Sequence, residues 1–204
     1  MRNSTPPADR AYFEKWYRDR RHRVSTRAAT ARKAALAVAL AEYYLGRPLR
    51  TVLDVGCGEG QWQPLLARLR PGVRYLGIDP SEYAVRRYGR RRNLRLGQFA
   101  TVGEVLPARG AWDLIVCSDA LYYLEAAEIA AGLATLVPRL AGVAFLEAYD
   151  AAEPLEGDLA GSRRLEAAAY RRLYRAAGLV PCGSHGYVGP ALAHRVTALE
   201  RGWV

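Results

Sequence analysis

Short apolar runs alternate with helical stretches through most of the chain. Five runs are rich in β-branched and other apolar residues and are typical of buried strands: 51–55, 73–78, 94–97, 112–117 and 142–149. Helical spacing is found at 60–70, 81–91, 124–138 and 162–177, the last with Ser162 as its expected N-cap. Two final runs, 179–188 and 194–204, predict a closing pair of strands. This alternation predicts an α/β fold with a doubly wound, mainly parallel, seven-stranded sheet.

The N-terminal part of the chain has a purely helical pattern. Residues 9–23 carry aromatic side chains at helical spacing, namely Tyr12, Phe13, Trp16 and Tyr17. Residues 26–46 form an alanine-rich stretch that ends in a glycine and is soon followed by a proline. We therefore expect residues 1–48 to form a helical cap or lid on a domain of residues 49–204.

The segment "VLDVGCGEGQW", residues 52–62, places a carboxylate and three alternating glycines directly behind the first strand. Ligands of such sheets lie beyond the carboxyl ends of the strands, so this turn predicts a binding site. A phosphate-binding P-loop would end in Gly-Lys-Ser/Thr, and a dinucleotide fingerprint would have its third glycine at Gln61. Neither pattern is present. The acid at Asp54 suits a cationic ligand better than a diphosphate.

The pattern D-x-G-x-G-x-G resembles the first motif of the class I, Rossmann-like S-adenosylmethionine (SAM)-dependent methyltransferases. In that family the second strand ends in an acid that binds the ribose hydroxyls, and "LGIDPS" supplies Asp79 at this place. The segment "WDLIVCSDALYYL" is similar to the fourth motif of the family. The resemblance covers roughly residues 50–150.

This resemblance implies that SAM is the methyl donor and S-adenosylhomocysteine the product. It assigns three groups of cofactor contacts, which lie in the glycine turn, after the second and third strands, and after the fourth strand: Asp54, Gly56, Cys57, Gly58 and Gln61; Asp79, Pro80, Gln98 and Phe99; Ser118, Asp119, Ala120 and Tyr123. Gln98-Phe99 departs from the acid that usually lies beside the adenine. Tyr12 and Trp16 are expected to close over the sulfonium through cation–π attraction.

The acceptor is expected at the ends of the fourth and fifth strands. Three residues are candidates for orienting or deprotonating it, namely Glu147, Tyr149 and His185, although no dedicated base is required. Positioning alone supplies about 7–11 kcal/mol of a barrier, and a general base typically about 3–5 kcal/mol. The following loop carries Glu153, Glu156 and Asp158 and slightly favours an amine-bearing acceptor.

Several nucleic-acid mechanisms lack their chemical groups in this sequence. The fourth motif has Ser118-Asp119-Ala120 instead of the D/N-P-P-Y/F of enzymes that methylate exocyclic amines. A K-D-K-E tetrad is excluded because no lysine follows Lys33. Cys117 lies inside an apolar strand and is interpreted as a core residue. A small-molecule acceptor, methylated at nitrogen or oxygen, is therefore the leading prediction.

The 204 residues are 50% hydrophobic and carry a formal net charge of +10. Two basic segments, 1–33 and 86–95, account for the excess charge, and we interpret them mainly as solvated surface. An RNA or protein acceptor that uses these segments stays an alternative. So does, from another class, an NAD-type oxidoreductase or a non-catalytic SAM-binding scaffold.

The three cysteines are far apart in sequence, so neither a disulfide framework nor a metal site is expected. No apolar run approaches the roughly 20 residues that cross a bilayer, and the first ten residues lack the apolar stretch typical of a signal peptide. These features predict a cytoplasmic protein that is not embedded in a membrane.

Overall fold

A computed structural model of the chain describes residues 8–23, 25–154, 157–159 and 161–201. Its strands are β1 Thr51–Val55, β2 Arg74–Asp79, β3 Leu94–Leu96, β4 Trp112–Cys117, β5 Leu140–Leu146, β6 Val180–Gly183 and β7 Gly186–Val188. They form one seven-stranded sheet in the order β3-β2-β1-β4-β5-β7-β6. Strands β1 to β5 are parallel, and β7 is antiparallel to both β5 and β6. The predicted α/β fold with a mainly parallel, seven-stranded sheet is confirmed.

The helices are α1 Arg10–Phe13, α2 Arg27–Leu45, α3 Trp62–Leu69, α4 Glu82–Arg92, α5 Ala126–Leu136, α6 Ala167–Ala176 and α7 Ala198–Arg201. A π-helical turn, Glu14–Arg18, extends α1. Short 3₁₀ turns occupy Val102–Glu104, Leu121–Tyr123, Val137–Arg139 and Pro190–Arg195. Thr26 and Ser81 cap α2 and α4 with their side-chain oxygens, as expected for helix N-caps. Within the described residues, no helix combines the length and apolar character that a bilayer crossing requires.

Both faces of the sheet are buried, as is typical of parallel strands. Successive residues of β1 alternate between the two cores: Val52 packs with α2, α3 and α4, and Leu53 packs with α5 and α6. Helix α2 therefore belongs to a layer of the sandwich, because Ala34, Ala37 and Val38 are buried in the first core. The division into residues 1–48 and 49–204 stays a prediction.

The expected strand over 194–204 is wrong for the described part of that run. Both closing strands come from the preceding run, since Ser184 and His185 have φ of +47° and +64° and form a tight two-residue connection between β6 and β7. The chain then enters a 3₁₀ turn at Pro190 and the short helix α7. Residues 202–204 lie outside the described residues.

The predicted helix start at Ser162 is also wrong. Helix α6 begins at Ala167, whose backbone amide donates to Asp150 Oδ2 at 2.5 Å. The preceding residues are held by other backbone partners: Arg163 N donates to Tyr122 O at 2.7 Å, and Leu165 O accepts from Ala151 N. These contacts hold the segment before α6 in a non-helical conformation.

At the edge of the sheet where the parallel strands begin, Asp113 joins the chain after α2 to the start of β4. Its carboxylate accepts two hydrogen bonds from the Arg47 guanidinium, at 2.7 and 3.0 Å, and one from Arg50 N at 2.7 Å. A fourth comes from Thr51 N at 3.2 Å. Burial alone would raise the pKa of Asp113, but the guanidinium and the two amides hold it below the usual value. This carboxylate is therefore a charged anchor at the amino ends of β1 and β4.

Asp113→Asn is expected to lower the free energy of unfolding at pH 7 by about 1–2 kcal/mol, a modest value because Arg47 is partly exposed. Since the pKa of Asp113 is lowered on folding, its contribution is present above the unfolded value of about 4 and is lost as the pH falls through the folded one. Urea denaturation across this range measures the difference. Glu104→Gln, at an exposed position, is the control. Equal stability of wild type and Asp113→Asn at pH 7 would contradict this role.

Candidate active site

The glycine turn lies where the sheet order reverses. From β1 the chain runs outward through β2 and β3, and β4 and β5 then extend the sheet on the other side of β1. Gly56, Gly58 and Gly60 have φ of +76°, +54° and +71°, a region that favours glycine. A β-carbon on Gly56 would lie only 2.5 Å from Cβ of Ala120. The glycines therefore allow the turn after β1 to lie directly against the loop after β4.

Asp79, at the end of β2, holds this turn in place. Its two carboxylate oxygens accept hydrogen bonds from Gly58 N at 2.6 Å and Ser81 N at 2.9 Å. Burial raises the pKa of the Asp79 carboxyl, and the two amides oppose that rise. A carboxylate has about four lone-pair sites, so two oxygens bound in this way still retain acceptor capacity toward a diol.

Asp54 forms part of the wall of a small cavity beside the turn. Its carboxyl group is 2% exposed and accepts a hydrogen bond of 2.7 Å from the Tyr75 hydroxyl. Burial raises the pKa of Asp54 to about 7, although the Tyr75 hydrogen bond opposes the shift. Near neutral pH this group therefore changes charge easily, and a neighbouring cation favours its ionised form.

The cavity measures about 60 Å³ and brings together four parts of the chain. Most of its wall comes from the glycine turn with the end of β1, the loop after β4, the N-terminal cap (residues 8–18), and α2 with the segment before it. In that order, the residues are Asp54, Gly56, Cys57 and Gln61; Ser118, Asp119, Tyr122 and Tyr123; Tyr12, Trp16 and Tyr17; Ser25, Thr30 and Lys33; Trp62 and Asp158 complete the wall. Small-molecule sites usually measure about 300–1,000 Å³. The cavity in this conformation is therefore smaller than a nucleoside ligand needs.

The cap packs against Gly58, beside the cavity. A β-carbon on Gly58 would lie 3.2 Å from Phe13 Cε1 and 3.6 Å from the Tyr17 hydroxyl. Phe13 is 1% exposed and stacks on Tyr83 with ring centroids 5.8 Å apart. Arg18 forms an ion pair of 2.5 Å with Glu59 of the glycine turn. These contacts place aromatic rings of the cap directly above the second glycine.

A second group of polar side chains, the Lys33 cluster (Lys33, Ser118, Asp119, Glu147 and Tyr149), lies at the ends of β4 and β5. Glu147 is 3% exposed and accepts hydrogen bonds from Lys33 Nζ at 2.8 Å, Ser118 Oγ at 2.6 Å and the Tyr149 hydroxyl at 2.8 Å. Asp119 accepts a hydrogen bond from Lys33 Nζ at 3.2 Å, and its Oδ2 lies 3.3 Å from Ser118 Oγ, whose single proton is donated to Glu147. Only Lys33, Ser118 and Asp119 of this cluster reach the cavity wall.

The two carboxylates of the cluster differ in proton affinity. Burial would raise the pKa of Glu147, but its hydrogen bonds from Lys33, Ser118 and Tyr149 hold it below the usual value. For Asp119, burial and the charge of Glu147 raise the pKa despite Lys33. Burial lowers the pKa of Lys33, and the two carboxylates more than compensate. Near neutral pH, Lys33 and Glu147 are therefore charged, and Asp119 is the acid that binds a proton more readily.

Asp119 also adopts an uncommon backbone conformation. Its φ of +58° lies in the left-handed region, which non-glycine residues rarely occupy and which Asp tolerates better than most. Strained residues of this kind are concentrated at functional sites. This conformation is a second, independent indication that the loop after β4 is functional.

Several predicted site residues do not reach the cavity. Pro80 and Gln98 are exposed. Phe99, expected beside the adenine, is 6% exposed and fills a gap in α5, where a β-carbon on Gly132 would lie 2.2 Å from its ring. His185 is exposed in the turn between β6 and β7, with its ring centroid 6.3 Å from that of Tyr149. Glu156 lies outside the described residues.

Lys33 is one of the cavity residues that were not predicted from the sequence. Only two of the 30 basic residues are lysines, so a lysine in an alanine-rich helix was a signal, although a weak one. Tyr17 was noted as aromatic but was not assigned to the cofactor site, and Tyr122 was not assigned within the segment that resembles the fourth motif. Among the described residues, no group of three or more His, Cys, Asp and Glu side chains is arranged to hold a metal ion.

Comparisons with known proteins agree with this geometry. Residues 11–196 match the family model described as a methyltransferase domain. Trans-aconitate 2-methyltransferase of Deinococcus radiodurans is 34% identical over 80 residues, which cover 38% of this chain and 30% of that protein. The matched stretch thus spans less than a third of the curated relative.

Two solved structures have the same fold at low sequence identity. Magnesium protoporphyrin IX methyltransferase of Synechocystis PCC 6803, crystallised with S-adenosylhomocysteine, superposes with a TM-score of 0.62 at 16% identity and covers 89% of this chain and 96% of its own. DesVI of Streptomyces venezuelae gives 0.58 at 16% identity, covering 78% and 92%. The family match, the fold and the glycine turn together show that this chain belongs to the class I SAM-dependent methyltransferases.

Proposed function

We propose that this chain transfers the methyl group of SAM to a nitrogen or oxygen atom of a small molecule. This acceptor contacts the part of the cavity wall that Lys33, Ser118 and Asp119 form. The observation that carries this proposal is that these polar side chains line the same cavity as the glycine turn. A site for the cofactor and a polar wall for an acceptor therefore adjoin.

The residues around the glycine turn suit SAM. Bound there, SAM supplies an electrophilic methyl group on a cationic sulfur. Asp54 offers a buried carboxylate beside the turn, and Asp79 keeps acceptor capacity for a diol. The backbone amides and glycines leave room for close approach without a diphosphate-binding pattern. These features support the turn and the end of β2 as the cofactor site.

Glu147 lies behind the cavity wall, so we assign it a positioning role. Its carboxylate fixes Lys33 and Ser118, both of which reach the wall. Tyr149 completes the hydrogen bonding of Glu147 from the other side. In-line methyl transfer depends chiefly on placing the acceptor atom behind the methyl group. A fixed polar wall meets that need without a dedicated base.

Acids on the wall favour an amine-bearing acceptor. Asp119 and Asp158 both line the cavity, and Asp119 binds a proton more readily than Glu147. A carboxylate at this place orients an amine by a charge-assisted hydrogen bond.

A second candidate acceptor is an oxygen acid. The Lys33 ammonium on the same wall attracts an ionised oxygen nucleophile. The similarity to trans-aconitate 2-methyltransferase over 80 residues adds support for this candidate.

The cap is proposed as a lid that opens to admit SAM and then closes over it. Phe13 and Tyr17 lie against Gly58, and the cavity beneath measures only about 60 Å³. The aromatic rings of Tyr12 and Trp16 line the same cavity, and such rings attract a sulfonium cation.

Asp54→Asn is expected to stabilise the fold while it weakens SAM binding. The native protein holds the Asp54 proton to a higher pH than the unfolded chain does. The free energy of unfolding of wild type therefore decreases between about pH 4 and 7, and this decrease is absent in the variant. At pH 8 the free energy of unfolding should rise by about 1–3 kcal/mol. Affinity for the cation should fall about tenfold. Urea denaturation and calorimetry with SAM measure both; unchanged affinity, or a less stable variant, would contradict the assignment.

Glu147→Gln is expected to lower turnover about 10²-fold, because Lys33 and Ser118 lose their fixed positions. S-adenosylhomocysteine formation with the small-molecule fraction of a cell extract measures turnover, and calorimetry should show SAM affinity within about twofold of wild type. Glu104→Gln, at an exposed position remote from the cavity wall, is the matched control. Full turnover in Glu147→Gln would remove the positioning role.

Phe13→Ala is expected to accelerate both association and dissociation of S-adenosylhomocysteine, with dissociation faster by about tenfold, since about 1.4 kcal/mol of lid packing is lost. Stopped-flow fluorescence follows both rates. Tyr43→Ala removes an aromatic ring that is 73% exposed and serves as control. If neither rate changes in Phe13→Ala, the cap is not a lid.

A further inference from the structure

A second concave surface, the arginine groove, lies directly beside the cavity. It encloses about 500 Å³ and is lined by the cap, the start of α2, the glycine turn, α3 and the end of α4. Tyr17, Ser25, Thr30 and Gln61 line both the cavity and the groove. The two spaces are therefore separated by a single shared row of side chains.

The arginine groove is positively charged, because arginines from both basic segments of the sequence line it. Its wall contains one acid, Glu59, and five arginines, namely Arg18, Arg23, Arg27, Arg91 and Arg92. Glu59 is already paired with Arg18 at 2.5 Å. Within the described residues, Arg23, Arg27 and Arg91 form no ion pair with any acid. Three guanidinium groups are therefore available to a ligand.

The remaining two arginines are held in place by neighbours. Arg92 Nη1 donates to the Glu59 carbonyl oxygen at 2.6 Å, and its guanidinium lies 4.6 Å from the centre of the Tyr88 ring. Arg18 also contacts the Tyr88 hydroxyl at 3.3 Å. One side of the groove is thus preorganised, which reduces the entropy cost of binding.

We propose that the arginine groove binds an oxyanionic portion of the methyl acceptor, a phosphate or a carboxylate group, while the reacting end passes Thr30 and Gln61 to the wall of Lys33 and Asp119. This inference rests on the proposed function. Arginine suits it because the planar guanidinium binds both phosphate and carboxylate in a bidentate manner. The acceptor is therefore a small molecule with a nucleophile at one end and at least one oxyanion at the other.

A small ligand fits the groove better than a nucleic acid does. The groove volume of about 500 Å³ lies within the range of small-molecule sites, about 300–1,000 Å³. Its residues converge on the edge of the cavity, where the shared side chains lie.

The test uses the full chain and calorimetry at low salt with three probes: inorganic pyrophosphate, citrate and a single-stranded RNA 12-mer. The groove variant carries Arg23→Gln, Arg27→Gln and Arg91→Gln. The control variant carries Arg86→Gln, Arg90→Gln and Arg172→Gln, three exposed arginines outside the groove that give the same change in net charge. S-adenosylhomocysteine is titrated into every protein as a measure of the cofactor site.

Wild type is expected to bind pyrophosphate or citrate, and the tighter of the two identifies the oxyanion as phosphate or carboxylate. The groove variant should bind that probe at least tenfold more weakly, and the control variant within twofold of wild type. Three results would overturn the inference: no binding by wild type at millimolar probe, equal weakening in both variants, or RNA bound more than tenfold tighter than pyrophosphate with the loss confined to the groove variant. Failure of wild type to bind S-adenosylhomocysteine would instead overturn the proposed function.

Discussion

A partly buried ion pair between Lys33 and Glu147 joins α2 to the carboxyl edge of the sheet. The two residues are 114 positions apart in sequence, and Glu147 is 3% exposed. Without the ammonium group, the neighbouring carboxylates of Asp119 and Glu147 would repel each other and one would bind a proton. Buried ion pairs seldom add much stability over apolar packing. The Lys33–Glu147 pair lies at the ends of β4 and β5, beside the cavity, and we propose that it positions the acceptor.

Three parts of the molecule meet at the crevice beside β1, where the strand order reverses. The glycine turn, fixed by Asp79, forms the base, and the aromatic cap lies on it through Phe13 and Tyr17. The Lys33 cluster forms the polar wall. The arginine groove adjoins this space along a shared edge. A ligand that spans both sites would contact the cofactor at one end and the guanidinium groups at the other.

Features that depend on local sequence patterns could be predicted from the sequence. The alternation of strands and helices predicted the α/β sheet. The glycines after β1 predicted the position of the turn, because a few neighbouring residues determine the positive φ angles and the carboxylate at the strand end. The sequence did not predict side-chain contacts between distant segments. Lys33 reaches Glu147 only because α2 packs on the sheet, and Phe99 turns into α5 because Gly132 leaves space there. The β6–β7 turn was missed because Ser184-His185 is not one of the Asn-Gly, Asp-Gly or Gly-containing pairs that typically form two-residue hairpin turns.

A crystal structure of the complex with S-adenosylhomocysteine tests the central claim most directly. The account predicts that the sulfur atom faces Lys33, Ser118 and Asp119, that the ligand lies over Gly58 with Phe13 displaced from it, and that Lys33 still contacts Glu147. A ligand whose carboxylate draws Lys33 away from Glu147, or whose sulfur faces another wall, would contradict the assignment of the acceptor site.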